Sequence, residues 1–257
     1  MVTSSSNPPA RPPLTGKAAL ITGSARRLGA VIARALHEAG ASIVLHFRSS
    51  AEAAASLAGE LNQVRPGSAA LAQCDLLDTA SLTDLAKTAT GAFGRLDILV
   101  NNASTFYQTP MGEIDGDAWD DLIGTNLKAP LFLAQAVAPA LHENGGLILN
   151  LVDIHGMRPL RRHPVYSVAK AGLIMLTKSL ARELGPQVRV NAIAPGPVMW
   201  PEAGVDEVLR RHIIDRTALK RGGSPQDVAR AALFFACDAP FVTGQILAVD
   251  GGRSVGW

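Results

Sequence analysis

The sequence predicts one α/β domain: a doubly wound, mostly parallel sheet of about seven strands with helices on both faces. Three observations carry this. Short apolar, β-branched runs alternate with longer amphipathic stretches along almost the whole chain. The runs are apolar at consecutive positions, the pattern of strands covered on both faces and therefore of a parallel sheet. No linker long enough to separate two domains, and no repeat, interrupts the alternation in 257 residues.

In chain order, "AALITG" (18–23) reads as the first strand and Arg27 to Ala39 as the first helix. "SIVLHFR" is strand two, followed by a helix from Ala51 to Val64. "AALAQCDL" is strand three, with a helix over 79–92. "LDILVNNAS" is strand four, with one long helix from Asp117 to Glu143. "GLILNLVD" is strand five, with a helix from Val165 to Leu184. "VRVNAIAPG" is strand six, followed by an irregular segment over 197–223 that is expected to form a substrate loop. A helix over 225–237 and the strand "ILAVDGG" complete the pattern. The opening "MVTSSSNPPARPP" is rich in Ser and Pro and lacks the apolar centre of a secretion signal. A flexible tail is expected over 1–14 and the folded domain over 15–257.

Composition removes several function classes. With 47% apolar and 18% charged residues the chain can bury a sizeable core. A net charge of +2 without a dense Lys/Arg stripe gives no footprint for nucleic acid. No apolar run reaches membrane-spanning length. Cys74 and Cys237 have no zinc or redox spacing; they read as small buried apolar residues, in keeping with a reducing cytoplasm. His37, His46, His142, His155 and His212 lack metal-ligand spacing, so no metal and no role are assigned to them.

The first strand-to-helix turn carries the first ligand signal. In "TGSARRLG" (22–29), Gly23 permits a tight turn and Gly29 lets the helix pack closely on the sheet. The helix N-terminus then presents backbone N–H groups to a pyrophosphate. With a strand before it and a helix after it, at the head of an alternating β/α pattern, the segment reads as the entry to a Rossmann-type dinucleotide site; its alternative is a plain strand–helix turn. Arg26 and Arg27 lie inside the loop, and Arg27 is the better candidate for a phosphate or substrate ligand. Strand two ends "LHFRSS", with no acid to hold a ribose 2′-hydroxyl. Arg48, Ser49 and Ser50 instead offer a cation and two hydroxyls to a 2′-phosphate, so NADPH is the expected cofactor. Asp75, at the end of strand three, is either an acceptor for the adenine amino group or an ordinary strand-end acid.

The second signal is "DIHGMRPLRRHPVYSVAK", which opens on Asp153 and closes on Tyr166 and Lys170. Tyr166 and Lys170 are four apart, on one helix face, and an ammonium there is expected to lower the phenol's pKa and make it a proton donor at neutral pH. Asp153, thirteen residues before Tyr166, is an acid where a reductase of ordinary carbonyls wants a neutral hydroxyl, since a carboxylate repels the oxygen on which charge develops. Its alternative reading is a cap for the loop that follows. Asn126, polar within an apolar helix, is costly to bury without partners.

Taken together, "TGSARRLG", "NNAS", "GTNLKAPLF", "YSVAK", "NAIAPGPV" and "VDGG" resemble the short-chain dehydrogenase/reductase family in order and spacing over roughly residues 15–257. Three departures from the general family pattern are informative: Arg27 for the middle glycine of the loop, Ser104 for the glycine of N-N-A-G, and Asp153 for the catalytic serine. Jointly they resemble the pteridine reductases. The resemblance implies catalytic roles for Asp153, Tyr166, Lys170 and Asn126, the last propping a water chain to the lysine. It implies that Leu28, Leu76, Asn102, Ala103, Ser104, Pro195 and Gly196 complete the cofactor site, which Tyr166 and Lys170 also touch. It implies a pterin or folate substrate held by Arg27, Ser104, Phe106, Asp153, His163 and Tyr166, with Phe106 sandwiching the ring against nicotinamide. His163 stands where relatives carry an aromatic tyrosine. Two successive reductions would draw on Tyr166 and on Asp153 through water. Arg158, Arg161 and Arg162 are rim ligands for a folate tail or plain solubility charges; Met199 and Trp200 are lid contacts or packing. The family also implies a homotetramer paired through the helices over 117–143 and 166–184.

Competing readings are a general NADPH-dependent reductase of carbonyls or imines, opposed by Asp153, and an NADPH-sensing protein without turnover, opposed by the Tyr166–Lys170 pair. Enoyl reductases of this fold separate tyrosine and lysine more widely.

Overall fold

The structure is a computed structural model and describes residues 12–200 and 206–255. Seven strands form one fully parallel sheet: β1 (Ala18–Ile21), β2 (Ser42–Phe47), β3 (Ala69–Gln73), β4 (Ile98–Asn101), β5 (Leu147–Leu151), β6 (Arg189–Pro195) and β7 (Ile246–Val249), in spatial order β3-β2-β1-β4-β5-β6-β7. Every residue of β1, β4 and β5 is buried, as double-sided cover requires. On one face, α1 (Arg27–Glu38), α2 (Ala51–Val64) and α8 (Pro225–Leu233) bury Ile32, Leu57 and Val228 against Ile21, Ile43 and Ile193. On the other, α3 (Leu82–Phe93) and α5 (Ala129–Asn144) bury Leu85 and Leu133 against Leu20, Leu99 and Ile148. Strand residues thus alternate between two cores although both faces are apolar.

The long helix expected over 117–143 is present but not regular. α4 (Gly116–Ile123) passes through a π turn at Gly124–Lys128 into α5, and the Ala129 N–H reaches back five residues to the Gly124 carbonyl. Asn126 sits in this turn and its side chain takes the Leu122 carbonyl, 2.9 Å away. A π turn inside a helix commonly marks a functional site. A second one, Phe234–Asp238, ends the helix expected over 225–237. Segment 197–223, expected to be irregular, contains α7 (Glu207–Asp215), while residues 201–205 lie outside the described residues. α6 (Pro164–Glu183) starts one residue before its expected bound.

The tail expected over 1–14 loses its last residues to the body: Leu14 is buried in the first core, and its N–H donates to the Ala39 carbonyl at 2.8 Å. Residues 1–11 lie outside the described residues. Among the described residues, no helix is long and apolar enough to cross a membrane, and no group of three or more His, Cys, Asp or Glu side chains is placed to hold a metal.

Candidate active site

Strand order reverses direction between β1 and β4. In a parallel sheet the helices on either side of that point leave in opposite directions and leave a crevice above the strand ends. A cleft of about 660 Å³ opens there, running from Arg48 and Asp75 at one end, past Gly23 and Asn102, to Asp153, Tyr166 and Lys170 at the other.

The β1–α1 turn is built for close approach. A Cβ on Gly29 would lie 2.5 Å from the Gly23 carbonyl and 2.6 Å from Asn102 Nδ2, so only glycine lets α1 seat there. The Asn102 side chain donates to the Thr22 and Gly23 carbonyls at 2.8 and 3.0 Å, locking the turn to β4. α1 begins without a side-chain cap and without an acid in its first turn, which leaves its N–H groups and positive dipole end available to an anion. Arg27 opens α1 with a left-handed φ of 53°, a conformation a non-glycine residue adopts only when its surroundings impose it. Its guanidinium reaches across and donates to the Trp200 carbonyl at 3.3 Å. Arg48 and Ser49 are exposed at the far lip, and Asp75 uses one oxygen to accept from the Leu77 N–H. A dinucleotide fits this donor set: a helix N-terminus and a glycine turn for the pyrophosphate, with Arg27 and Arg48 as cations along the same cleft.

At the other end, Asp153 follows β5 and its two oxygens do different work. Oδ1 accepts from the His155 N–H at 2.8 Å and caps the short turn Ile154–Gly156; Oδ2 accepts from the Tyr166 hydroxyl at 2.9 Å. One carboxyl group thus caps the turn and meets the phenol at the same time. Lys170, one turn along α6, is buried, with Nζ donating to the Leu151 carbonyl at 2.9 Å and standing 5.7 Å from the Tyr166 ring centre. Burial lowers its pKa to about 8, and the nearby Asp153 charge only partly opposes this.

The expected lowering of the Tyr166 pKa is corrected. Burial first, then the Asp153 charge and hydrogen bond, push the phenol well above its ordinary value, while a hydrogen bond with Ser104 pulls weakly the other way. The ammonium that was to lower it is itself buried and committed to a carbonyl. Tyr166 consequently keeps its proton at neutral pH and points it at Asp153.

Ser104 Oγ donates to Asn126 Oδ1 at 2.6 Å, and Asn126 Nδ2 donates to the Thr105 and Leu122 carbonyls at 3.0 and 2.9 Å. The Asn126 side chain is thus spent on holding the β4 exit loop in place. It positions Ser104. That loop carries Phe106, half exposed, on whose ring His163 stacks at 4.7 Å between centres and 10° between planes. Tyr166 meets the same ring edge-on at 4.8 Å.

Of the expected cofactor residues, Gly23, Leu28, Gly29, Ser50, Leu76, Asn102, Ala103 and Pro195 line the cleft with those already named. Gly196 does not. Its N–H pairs with Val249, and a Cβ there would lie 2.5 Å from Asp250 Cβ, so the glycine serves the packing of the β7 exit. Nor is His163 among the residues lining the cleft: it is buried, anchored by Nδ1 to the Arg161 carbonyl at 2.9 Å, and stacks on Phe106. Arg158, Arg161 and Arg162 do not line the cleft either, and the last two are exposed. Met199 lines it, as do His46, Thr125 and Val152, which sequence reasoning passed over. His46 had one available signal: a polar ring in an apolar strand two residues before Arg48.

The comparisons agree with this geometry. A family model described as enoyl-(acyl carrier protein) reductase matches residues 23–254. Pteridine reductase 1 of Leishmania tarentolae is 37% identical, over 94% of this chain and 97% of its own. A 3-oxoacyl-(acyl-carrier-protein) reductase of Staphylococcus aureus (strain Mu50 / ATCC 700699) is 35% identical, over 92% of this chain and 97% of its own. A solved structure named as a short-chain alcohol dehydrogenase from Sinorhizobium meliloti 1021 superposes with a TM-score of 0.91 at 31% identity, covering 96% of this chain and all of the other. With the glycine turn, the switch-point cleft and the tyrosine–lysine pair in place, the chain belongs to the short-chain dehydrogenase/reductase family, oxidoreductases that work with a nicotinamide dinucleotide.

Proposed function

We propose that the protein is an NADPH-dependent pteridine reductase acting on dihydropterins such as dihydrobiopterin or dihydromonapterin, or on dihydrofolate. The observation that carries this reading is the hydrogen bond from the Tyr166 hydroxyl to Asp153 Oδ2 at 2.9 Å. A half-buried carboxylate beside the proton donor opposes an oxygen that gains negative charge. It does not oppose reduction of a C=N unit, in which the carbon gains hydride and the adjacent nitrogen takes a proton. When bound, the nicotinamide supplies the hydride.

The rest falls to the chain's own residues. Phe106, backed by His163, offers an aromatic face to a flat heterocycle. Ser104, held by Asn126, presents a hydroxyl at the junction of the two ends of the cleft. Tyr166 holds the proton the ring nitrogen needs. Losing it leaves a phenolate beside Asp153, and the Lys170 ammonium near the ring offsets that charge. Tyr166 rests protonated, so the proton that reduction consumes is in place at neutral pH. Arg48, Ser49 and Ser50 give the 2′-phosphate its ligands and select NADPH. The exposed apolar side chains Leu131 and Phe132 on α5 and Val168 and Met175 on α6 support a homotetramer paired through these helices.

The second reading, a carbonyl reductase, is favoured by one observation: the 35% identity to a 3-oxoacyl reductase. Following absorbance at the NADPH band with dihydrobiopterin, dihydromonapterin, dihydrofolate and a simple diketone separates the two. The proposal expects consumption with at least one pterin; consumption with the diketone alone would reject it.

A further inference from the structure

We infer that His46 is a positioning residue that sets the Gly23 turn for the dinucleotide, as a neutral imidazole of fixed tautomer. Residue 46 holds the turn in three ways. Its ring Nδ1 accepts from the Gly23 N–H at 3.1 Å. Its own carbonyl accepts from the Ser24 N–H at 3.0 Å and from Ser24 Oγ at 3.4 Å. On the far side of the ring, Nε2 lies 3.0 Å from the Cys74 carbonyl at the end of β3. These partners assign the proton. A backbone N–H can only donate, so Nδ1 is bare; a carbonyl can only accept, so Nε2 carries the hydrogen.

The Gly23 peptide is therefore clamped from both sides, by Asn102 on its carbonyl and by His46 on its N–H. The first clamp ties the turn to β4, the second to β2 and β3. Gly23 lies where the chain passes from β1 towards α1, and the position of the α1 N–H groups follows from it. His46 lines the cleft but is almost fully buried, so it acts through the turn and makes no demand on the ligand's chemistry.

This arrangement is proton-sensitive. An imidazolium has no acceptor, and two N–H groups would face each other where the Gly23 bond now stands. Burial keeps His46 neutral by lowering its pKa below the ordinary 6.5; the Cys74 hydrogen bond and then the Asp75 charge act in the other direction. Arg48, just past the end of β2, and Arg26 and Arg27 of the β1–α1 loop line the same cleft. Because the folded value lies below the unfolded one, stability falls as pH drops below about 6.5 towards the folded value, and within the folded protein the bond is lost only as pH passes through the folded value.

The test is calorimetric titration of NADPH into the wild type, His46→Leu and His46→Asn at about pH 7.5, above the ordinary histidine value near 6.5, and at a lower pH beneath the folded His46 value, located by NMR titration of the ring. In the Asn variant the side-chain oxygen stands where Nδ1 stood and does not titrate. The expected result at the higher pH is binding about 10-fold weaker in His46→Leu, the size of one lost buried hydrogen bond, and within about threefold of wild type in His46→Asn. At the lower pH the wild type should weaken by more than His46→Asn; titration of the cofactor's own 2′-phosphate is common to both and drops out of the comparison. If the wild type and the Asn variant lose affinity equally, or if a folded Leu variant binds as the wild type does, the assignment is wrong. Should His46→Leu fail to fold, the Asn comparison alone decides. No substrate is present in the experiment, so its outcome is independent of the pterin reading.

Discussion

At the phosphate end of the cleft, Arg26, Arg27, Arg48 and Ser49 stand exposed around an uncapped helix N-terminus. At the reactive end, Tyr166 and Lys170 are buried, and each is pushed towards its neutral form, the lysine down to about 8 and the tyrosine up. The first end keeps its charge in water, where it costs little, and holds the backbone with neutral clamps from Asn102 and His46. The second places ionisable groups in a low dielectric, where small changes in protonation carry large energies. On the proposed function, binding strength and proton transfer are built separately along one cleft, and substitutions should separate them.

The largest effect is expected from Tyr166→Phe, which removes the proton donor and leaves the phosphate end untouched. Turnover should fall about 10²–10⁴-fold with NADPH binding nearly unchanged, measured by steady-state assay and calorimetry. Near-normal turnover would remove the tyrosine from the chemistry.

Next comes Lys170→Met, read by denaturant unfolding against pH. The folded value of about 8 lies below the ordinary 10.5, so between these the unfolded chain binds more protons and stability rises with pH. The variant should lack this rise, a difference of up to ~3 kcal/mol across the window. Tyr166, raised in the fold, contributes a fall in stability only beyond its ordinary 10. A variant that keeps the wild-type profile would show that Lys170 is not buried as an ammonium.

At the opposite end, Arg48→Glu should weaken NADPH about 10–100-fold, the range of one charge-assisted hydrogen bond, and NADH far less. Equal losses would contradict the 2′-phosphate assignment. The smallest effect is expected from Phe106→Ala. It should raise the pterin KM about 2–10-fold, since a stacked aromatic pair contributes ~0.5–1.5 kcal/mol beyond its buried area.

The same division explains what could be read before the fold was known. That Gly23, Gly29, Asp153, Tyr166 and Lys170 meet in one cleft was legible because they lie at short-range spacings on a turn or about one helix. The seven strands were legible because each is apolar at consecutive positions. What was missed depends on segments that meet only in three dimensions. The ring of His46 bridges β1 and β3. That of His163 lies under Phe106, 57 residues away in sequence and 4.7 Å away in space. The Tyr166 pKa was read with the wrong sign because spacing reveals the nearby ammonium but not the burial that outweighs it. The π turn at Gly124–Lys128 follows from hydrogen bonds of the Asn126 side chain that no periodicity announces. The packing of Gly196 on Asp250 was not legible because glycine serves close backbone packing and close ligand approach equally well.

The central claim is that the Asp153 carboxylate suits a nitrogen that gains a proton and not an oxygen that gains charge. The direct measurement is the ratio of kcat/KM for a dihydropterin to that for a diketone, in the wild type and in Asp153→Ser. The account predicts that the ratio falls on substitution, with pterin reduction depressed and diketone reduction unchanged or improved. An unchanged ratio, with pterin reduction intact in the serine variant, would contradict it.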